Sequence, residues 1–402
     1  MARPSVAWIR APFHRLRDLI PASVRVTAYR IALRRRLALL AKGEFFPHPT
    51  APPDVELSPS LAHARALDAA PLRLSWSRAK ATDPHAWQAA ARAKLGALVG
   101  YPAQRTTPTA RHRTEHPLPS GLKRRRVYLR LWSGADAPVD AIWREGGGRR
   151  PVMICLQGTN SGSHLSWGEA RMPPDPAKIA HGGDYARQAA ARGYLAICLE
   201  QSCFGERAER HMTPRSASAT IDTANHAFLL GRSILGERTA DVSSLVDWLV
   251  GGSENDLDLA VDPARIFVMG NSAGGSVALH AAALDVRIAG VLASGCIGFV
   301  RDTIARRRDD SAQNVVPGLL NWLETDDVVG LVAPRPLLAI SGTRDHIFPY
   351  AGVAAVTESA RRVYQAMQAE DNLVAVSANG PHRFYPEIAW PVFERLVGGA
   401  SS

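Results

Sequence analysis

The chain has 402 residues, of which 46% are hydrophobic and 21% charged, and it carries a formal net charge of +11. This is the composition of an ordinary globular protein with ample material for a core, and it excludes a fibrous or low-complexity chain. No uninterrupted apolar run reaches the length of a membrane span. The four cysteines have no metal-ligand spacing, which disfavours a zinc site or a disulfide framework.

The positive charge is concentrated at the N-terminus, where residues 1–45 contain ten Arg or Lys and only two acidic residues. Trp8, Phe13, Leu16 and Ile20 could share one face of a basic amphipathic helix. Two interpretations remain open: peripheral membrane contact through residues 1–45, or a helix packed on the rest of the chain with its arginines solvated. A nucleic-acid partner is not expected, because no recognition motif accompanies the charge.

The N-terminal third predicts helices and a linker. Residues 45–60, "FFPHPTAPPDVELSPS", are proline-rich and indicate an extended linker, whereas residues 83–102 indicate a helix stopped by Gly100 and Pro102. The run "IALRRRLALL" is broken by three arginines and makes a poor signal-peptide core. We therefore expect a basic helical extension with linker over residues 1–119, a second domain over residues 120–402, and a cytoplasmic location.

From about residue 120 the pattern changes to short apolar runs that alternate with helices. An opening antiparallel pair, "RRVYLRLWS" and "APVDAIWRE", precedes continuous apolar strands. These strands are "PVMICLQG", "LAICLEQ", "RIFVMG", "IAGVLAS", "RPLLAIS" and "NLVAVSA". Continuous apolar strands that alternate with amphipathic helices predict an α/β fold, with a mostly parallel central sheet covered by helices on both faces.

One serine stands in a special context. In "RIFVMGNSAGGSVALHAAAL", residues 265–284, a strand is followed by the turn Gly-Asn-Ser-Ala-Gly around Ser272 and then by a helix. This order is typical of a nucleophile elbow, in which small residues flank the serine because strand and helix approach closely. A small-residue turn without chemistry remains the structural alternative.

A serine nucleophile needs a base that a carboxylate orients. Asp345 follows the strand "RPLLAIS", and His382 follows "NLVAVSA", so both come after the serine, at the ends of later strands. His346 is an alternative to His382, but it does not follow a final strand. Asp326 and Asp327 are alternatives to Asp345, but they stand beside a helix before the strand. The pattern predicts the triad Ser272, Asp345 and His382.

These motifs resemble α/β-hydrolases of the dienelactone hydrolase and acetyl xylan esterase-like type. The resembling segments lie between about residues 150 and 395: "LQGTNSG", "EQSCFGER", "VMGNSAGG", "VAPRPLLAISGTRDHIFP" and "GPHRFYPEIAW". Dienelactone hydrolases proper use a cysteine nucleophile. The serine of this chain therefore favours esterase chemistry over lactone opening.

The oxyanion hole of such an enzyme is built from backbone N–H groups. The residue after the nucleophile, Ala273, is expected to supply one donor, and the loop "QGTNSGSH" the other. Gly158 lets the backbone turn there, so Thr159 is the predicted donor and Asn160 the next candidate. In this loop Gln157 stands where many relatives have histidine.

Candidate substrate-binding residues are Asn160, His164 and Glu200. For Glu200, at the end of a strand, an ion pair with Arg207 is the alternative, and for His164 a role in the core. The segment 201–235 is expected to form a lid or pocket wall.

The expected function is a serine hydrolase that cleaves a small-molecule carboxylic ester through an acyl-enzyme. A peptidase or acyltransferase on the same triad, or a non-catalytic scaffold, are the alternatives. The sequence has no HExxH, CxxC pair or Walker motif. We therefore expect no metal or organic cofactor.

Overall fold

The computed structural model describes residues 22–41, 55, 57–79, 82–159, 161–208, 219–251, 257–306 and 312–399. Within these residues, nine strands form one sheet in the spatial order β1-β2-β3-β5-β4-β6-β7-β8-β9. Their bounds are β1 Ala110–Pro117, β2 Leu122–Arg130, β3 Asp136–Arg144, β4 Arg150–Leu156, β5 Leu195–Leu199, β6 Val261–Asn271, β7 Gly290–Ser294, β8 Leu337–Gly342 and β9 Leu373–Ala378. Strands β1 to β3 pair antiparallel, and β3 pairs antiparallel with β5. From β5 to β9 every pairing is parallel.

The helices of the described residues, in chain order, are α1 Ala22–Ala41, α2 Pro59–Asp68, α3 Trp76–Ala79, α4 Pro84–Val99, α5 Asp175–Lys178, α6 Tyr185–Ala191, α7 Ala219–Leu229, α8 Ile234–Val250, α9 Ala273–Leu284, α10 Thr325–Gly330, α11 Tyr350–Ala366 and α12 Pro386–Gly399. Local chemistry sets their ends. The side chain of Asp83 accepts hydrogen bonds from the first turn of α4, and Gly100 ends that helix with a φ of 73°.

The sheet separates two apolar layers, as the alternation along β4 shows. Val152, Ile154 and Leu156 belong to the larger core, together with residues of α4, α8, α9 and α11. Met153 and Cys155 belong to the other core, together with residues of α6 and α12. Since side chains of a strand alternate between faces, helices cover both sides of the sheet. This confirms the predicted α/β architecture. All four cysteines are buried and unpaired.

The packed unit begins before residue 120. Trp87, Leu95 and Val99 of α4 are buried in the larger core. The edge strand β1 pairs with β2 from Ala110 onward. The expected boundary between residues 119 and 120 therefore does not coincide with a break in packing, and the sheet has one strand more than the sequence pattern predicts.

Helix α1 lies in the basic N-terminal segment, and its large apolar side chains Val24, Ile31 and Leu37 are exposed. The apolar residues proposed for an amphipathic helix upstream, Trp8, Phe13, Leu16 and Ile20, lie outside the described residues. Among the helices that are described, none combines the length and the apolar character needed to cross a bilayer.

Candidate active site

Ser272 stands on a sharp turn between β6 and α9. Its φ of 55° and ψ of −124° lie outside the regions that side-chain-bearing residues ordinarily occupy. The N–H of Ser272 donates to the carbonyl oxygen of Ser294 at the end of β7, over 2.8 Å. A serine held in a strained conformation by neighbouring strands is the geometry predicted for a nucleophile elbow.

The two glycines of the turn are there because the backbone passes too close for a side chain. A Cβ built on Gly270 would lie 2.3 Å from the carbonyl oxygen of Gly274. A Cβ on Gly274 would lie 2.2 Å from the carbonyl oxygen of Leu156 in β4. Both contacts involve backbone atoms that cannot swing away, so only glycine fits at either position.

His382 and Asp345 are hydrogen-bonded: Nδ1 of His382 lies 2.6 Å from Oδ2 of Asp345. The other carboxylate oxygen of Asp345 accepts backbone N–H groups of Ile347 at 2.8 Å and Phe348 at 2.9 Å. Asp345 is only 3% exposed. Burial acts to raise its pKa, but the hydrogen bonds from His382 and the two backbone groups outweigh burial and hold the pKa of Asp345 below its ordinary value.

The loops that carry these two residues are joined beyond the ends of their strands. The N–H of Thr343 donates to Ala378 over 2.8 Å, and that of Arg344 donates to Gly380 over 2.9 Å. These bonds continue the β8–β9 pairing into the loops. Residues 345 and 382 are thereby placed side by side by backbone structure.

The alternative carboxylates have other partners. The side chain of Asp327 accepts N–H groups of Trp76 and Glu324, each at 2.8 Å, and completes a capping box at the start of α10. Asp326 pairs with the hydroxyl of Ser359. Both carboxylates therefore hold α10 against its neighbours, whereas the partner of His382 is Asp345.

Ser272 and His382 line one cavity of about 430 Å³. A Cβ built on Gly295 would lie 3.0 Å from Cε1 of His382 and 3.4 Å from Oδ1 of Asn271, so the histidine ring lies close to the residue that precedes the serine. The described residues that line this cavity are Gly158, Thr159, Leu165, Lys178, His181, Gly183, Tyr185, Asn271, Ser272, Gln313, Ile347, His382, Arg383 and Phe384.

The predicted oxyanion loop lies against Ser272. A Cβ on Gly158 would lie 2.9 Å from the carbonyl oxygen of Asn271 and 3.0 Å from Cβ of Ser272, because β4 and β6 are neighbours. Ala273 is the first residue of α9. Its N–H belongs to the unpaired donors of that helix N-terminus. Thr159 lines the cavity, and Asn160 lies outside the described residues.

Gln313 braces this loop from the side. Its Nε2 donates to Oγ1 of Thr159 over 3.0 Å, and its Oε1 accepts from the buried Arg238 at 3.3 Å. Gln313 also lines the cavity. No feature of the sequence connects Gln313 with the site.

Glu200 and His164 are not among the described residues that line the cavity. Glu200 is buried, and its carboxylate accepts the backbone N–H and the hydroxyl of Ser163, each at 3.1 Å. The alternative of an ion pair with Arg207 is wrong: that guanidinium pairs with Asp241 at 3.0 Å, and it donates to the backbone carbonyl oxygen of Glu200 rather than to its carboxylate. The carboxylate thus holds the end of the predicted oxyanion loop.

His164 belongs to the same supporting layer. Its Nε2 lies 3.0 Å from Oδ2 of Asp175, and both side chains are buried. The same carboxylate oxygen accepts backbone N–H groups of Arg171 and Met172. The geometry therefore gives His164 a role in fixing the 161–175 segment.

Several lining residues were not predicted: Lys178, His181, Gln313 and Arg383. They come from the end of α5, from the turn after it and from two loops, where no periodicity marks them. The expected wall, residues 201–235, contributes no lining residue among those described, and residues 209–218 lie outside the description. Across the described chain, no group of three or more His, Cys, Asp or Glu side chains is arranged to bind a metal ion.

The parallel sheet, the serine elbow after β6 and the Asp345 and His382 loops after β8 and β9 together define the α/β-hydrolase fold. No protein-family model matches the sequence. The Bacillus subtilis protein named "Putative hydrolase YtaP" is 25% identical over 215 residues, which cover 51% of this chain and 67% of that protein.

Solved structures share the fold. A "putative acetyl xylan esterase" from Bacteroides fragilis superposes with a TM-score of 0.63 at 16% identity, over 85% of this chain and 86% of that one. A glucuronoyl esterase from Teredinibacter turnerae gives a TM-score of 0.58 at 16% identity, over 89% and 94%. A glucuronoyl esterase from Solibacter usitatus gives 0.58 at 14% identity, over 79% and 94%.

Proposed function

We propose that the protein is a serine hydrolase that cleaves a carboxylic ester, with Ser272 as nucleophile, His382 as general base and Asp345 as the carboxylate that orients the histidine. One observation carries the proposal. The strained serine and the histidine line the same cavity, and the histidine is 2.6 Å from a buried carboxylate. This combination is what activates a serine hydroxyl.

We infer the histidine tautomer from the hydrogen bond to Asp345, because an ionised carboxylate can only accept. With the proton on Nδ1 and donated to the carboxylate, Nε2 has a lone pair and can accept the serine proton. The serine oxygen then bonds to the acyl carbon, and the proton on Nε2 passes to the leaving alcohol as its bond to carbon breaks. A water molecule then bonds to the acyl carbon as His382 takes its proton, and this proton passes to the oxygen of Ser272 as the acyl–serine bond breaks and the acid leaves.

The negative charge of each tetrahedral intermediate requires donors fixed in advance. We assign the backbone N–H groups of Ala273 and Thr159 to this role, since one begins α9 beside the serine and the other lies in the loop against it. The brace of Gln313 on Thr159 supports this assignment, because a donor contributes most when it cannot move away from the developing charge.

The relatives support an ester substrate. Several neighbours of the fold are named as acetyl xylan or glucuronoyl esterases, and the Bacillus protein is named as a hydrolase. The cavity of about 430 Å³ has the size of a small-molecule site.

Turnover of 4-nitrophenyl acetate by the full chain tests the proposal. Ser272→Ala should lower kcat/KM by about 10⁴-fold or more, as expected for a triad nucleophile. Ser276→Ala is the matched control, since Ser276 lies one helical turn further on and is not among the described residues that line the cavity. Its rate should equal that of the wild type. Full activity in Ser272→Ala would overturn the proposal.

A further inference from the structure

The charged side chains that line the cavity around Ser272 are all basic in the described part of the chain. The cations Lys178 and Arg383 line it, and no aspartate or glutamate is found among the described lining residues. Asp345, the carboxylate of the triad, is buried behind His382. A ligand in this cavity therefore faces cationic groups without opposing carboxylates from the described wall.

Lys178 is the most informative of these groups. Its side chain is half-buried, and within the described part of the chain its ammonium group makes no hydrogen bond or ion pair. Burial lowers the pKa of Lys178, and the nearby Asp175 opposes that effect only in part. Asp175 itself is fully buried and engaged by His164 and backbone N–H groups. A partly desolvated ammonium without a hydrogen-bonded anion is costly unless a ligand supplies one.

Arg383 is held in place but not neutralised by a close carboxylate. Its guanidinium lies 4.2 Å from the ring centroid of Tyr385. The carboxylate of Glu387 is 3.9 Å away and 58% exposed, so this pair is long and solvated. A guanidinium has five N–H donors in a planar fork that matches a carboxylate.

The fold brings these two cations to one cavity from distant parts of the chain. Lys178 ends α5, and the turn that follows packs against the start of α12. Gly182, with a φ of +84°, makes this approach possible, because a Cβ there would lie 2.7 Å from the ring of Pro386. Acidic residues near this turn, Asp184 and Glu387, line an adjoining outer groove that shares His181 and Arg383 with the catalytic cavity.

We infer that the cavity selects esters that carry a carboxylate group, bound by the ammonium of Lys178 and the guanidinium of Arg383. The inference rests on the proposed ester hydrolysis and names its substrate class. The guanidinium offers two parallel hydrogen bonds to the carboxylate, and the ammonium adds a point charge from the other segment. The binding free energy that this contact contributes exceeds that of an exposed ion pair, because the ammonium is already partly removed from water.

Paired esters that differ only in charge test the inference. For an acyl-side charge, mono-4-nitrophenyl glutarate is compared with its glutaramate, in which an amide replaces the carboxylate. For an alcohol-side charge, 4-acetoxybenzoate is compared with 4-acetoxybenzamide. In at least one pair, the wild-type protein should have a higher kcat/KM for the anionic ester, and added NaCl should reduce the preference.

Lys178→Met should lower this anionic-to-neutral ratio by about tenfold or more, the effect expected of a lost charge-assisted contact. Lys178→Arg should retain most of the preference, and Arg383→Gln should reduce it. Lys94→Met is the matched control. Lys94 of α4 lies over the ring of Trp322 and is not among the described lining residues. Its ratio should be that of the wild type.

A wild-type protein that hydrolyses the neutral esters without preferring the anionic member of either pair would overturn the inference and leave the proposed function intact. A preference that survives both Lys178→Met and Arg383→Gln would overturn the inference in the same way. A wild-type protein that hydrolyses none of the four esters would overturn both.

Discussion

His382 and Asp345 lie 37 residues apart in sequence and 2.6 Å apart in space. The approach is produced by backbone structure, because the loops after β8 and β9 continue the pairing of their strands. Since Asp345 receives two further N–H groups, its carboxylate has a fixed position from which to hold the ring. Its lowered pKa keeps it ionised over the neutral pH range.

Asp345→Asn should lower kcat for a small ester by about 10⁴-fold, because an asparagine amide can favour the wrong histidine tautomer. The variant should still fold, since the shape of the side chain is nearly unchanged. Ester turnover measured beside a check of folding tests this. Asp326→Asn is the control and should keep its rate, as that carboxylate pairs with Ser359. If Asp326→Asn lost the rate while Asp345→Asn kept it, the triad would have to be redrawn.

The close approach of the proposed oxyanion loop to Ser272 gives a second prediction. Gly158→Ala places a Cβ 2.9 Å from the carbonyl oxygen of Asn271, so the loop must shift by a few tenths of an ångström. Displaced donors should lower kcat by about 10²-fold with a smaller change in KM. Gly147→Ala is the matched control, since no atom lies within 4 Å of the added methyl group. Equal activity in both variants would contradict the placement of the loop.

Glu200 should make stability depend on pH. Burial raises its pKa to about 7, against hydrogen bonds from Ser163 and the N–H of Glu206. Between the ordinary value of 4.5 and about 7, the folded protein binds more protons than the unfolded chain, so this contribution to stability falls as pH rises. In the Glu200→Gln variant the glutamine side chain does not titrate, so this variant lacks that contribution.

The free energy of unfolding of Glu200→Gln, relative to wild type, should therefore rise by up to about 3 kcal/mol between pH 4.5 and 8. Denaturant unfolding of both proteins at both pH values measures this difference in unfolding free energy. The contributions of the titrating groups that the two proteins share cancel in it. A difference that is constant across this range, or that changes in the opposite direction, would show that the folded-state pKa of Glu200 is not raised.

Deletion of residues 1–45 and deletion of residues 1–119 should have different effects. A chain that begins at residue 46 should keep its kcat/KM on a small ester, because the triad and the oxyanion loop all lie beyond residue 150. A chain that begins at residue 120 should fail to fold, since it lacks the buried side chains of α4 and the edge strand β1. A folded but inactive 46–402 chain, or a stable and active 120–402 chain, would contradict this division.

That Ser272, Asp345 and His382 lie near one another could be predicted, because each follows an apolar strand and the ends of parallel strands meet at one edge of a sheet. The flanking glycines, Gly270 and Gly274, were a further sequence signal for Ser272. The close backbone contacts at both positions explain why glycine is needed there. Strand β1 was missed because its sequence, "ARHRTEHP", is polar and its side chains are mostly exposed at the edge of the sheet.

The cavity wall could not be predicted for a different reason. Lys178, Gln313 and Arg383 come from three separate regions of the chain, and only the tertiary packing brings them together. Glu200 carried an ambiguous signal, since a carboxylate after a strand fits a pocket, an ion pair or a loop support equally well. The structure places it on the backbone of Ser163, a partner that no sequence spacing indicates.

The proposed mechanism requires that Ser272 become covalently bonded to the acyl group. Mass spectrometry of the protein mixed rapidly with 4-nitrophenyl acetate and quenched in acid measures this bond, because an acetyl ester adds a defined mass to one peptide. We expect an acetyl group on Ser272 in the wild-type protein and in Ser276→Ala, and none in Ser272→Ala. Turnover accompanied by acetylation of another residue would contradict the mechanism. So would full activity in Ser272→Ala together with no covalent species at any time of quenching.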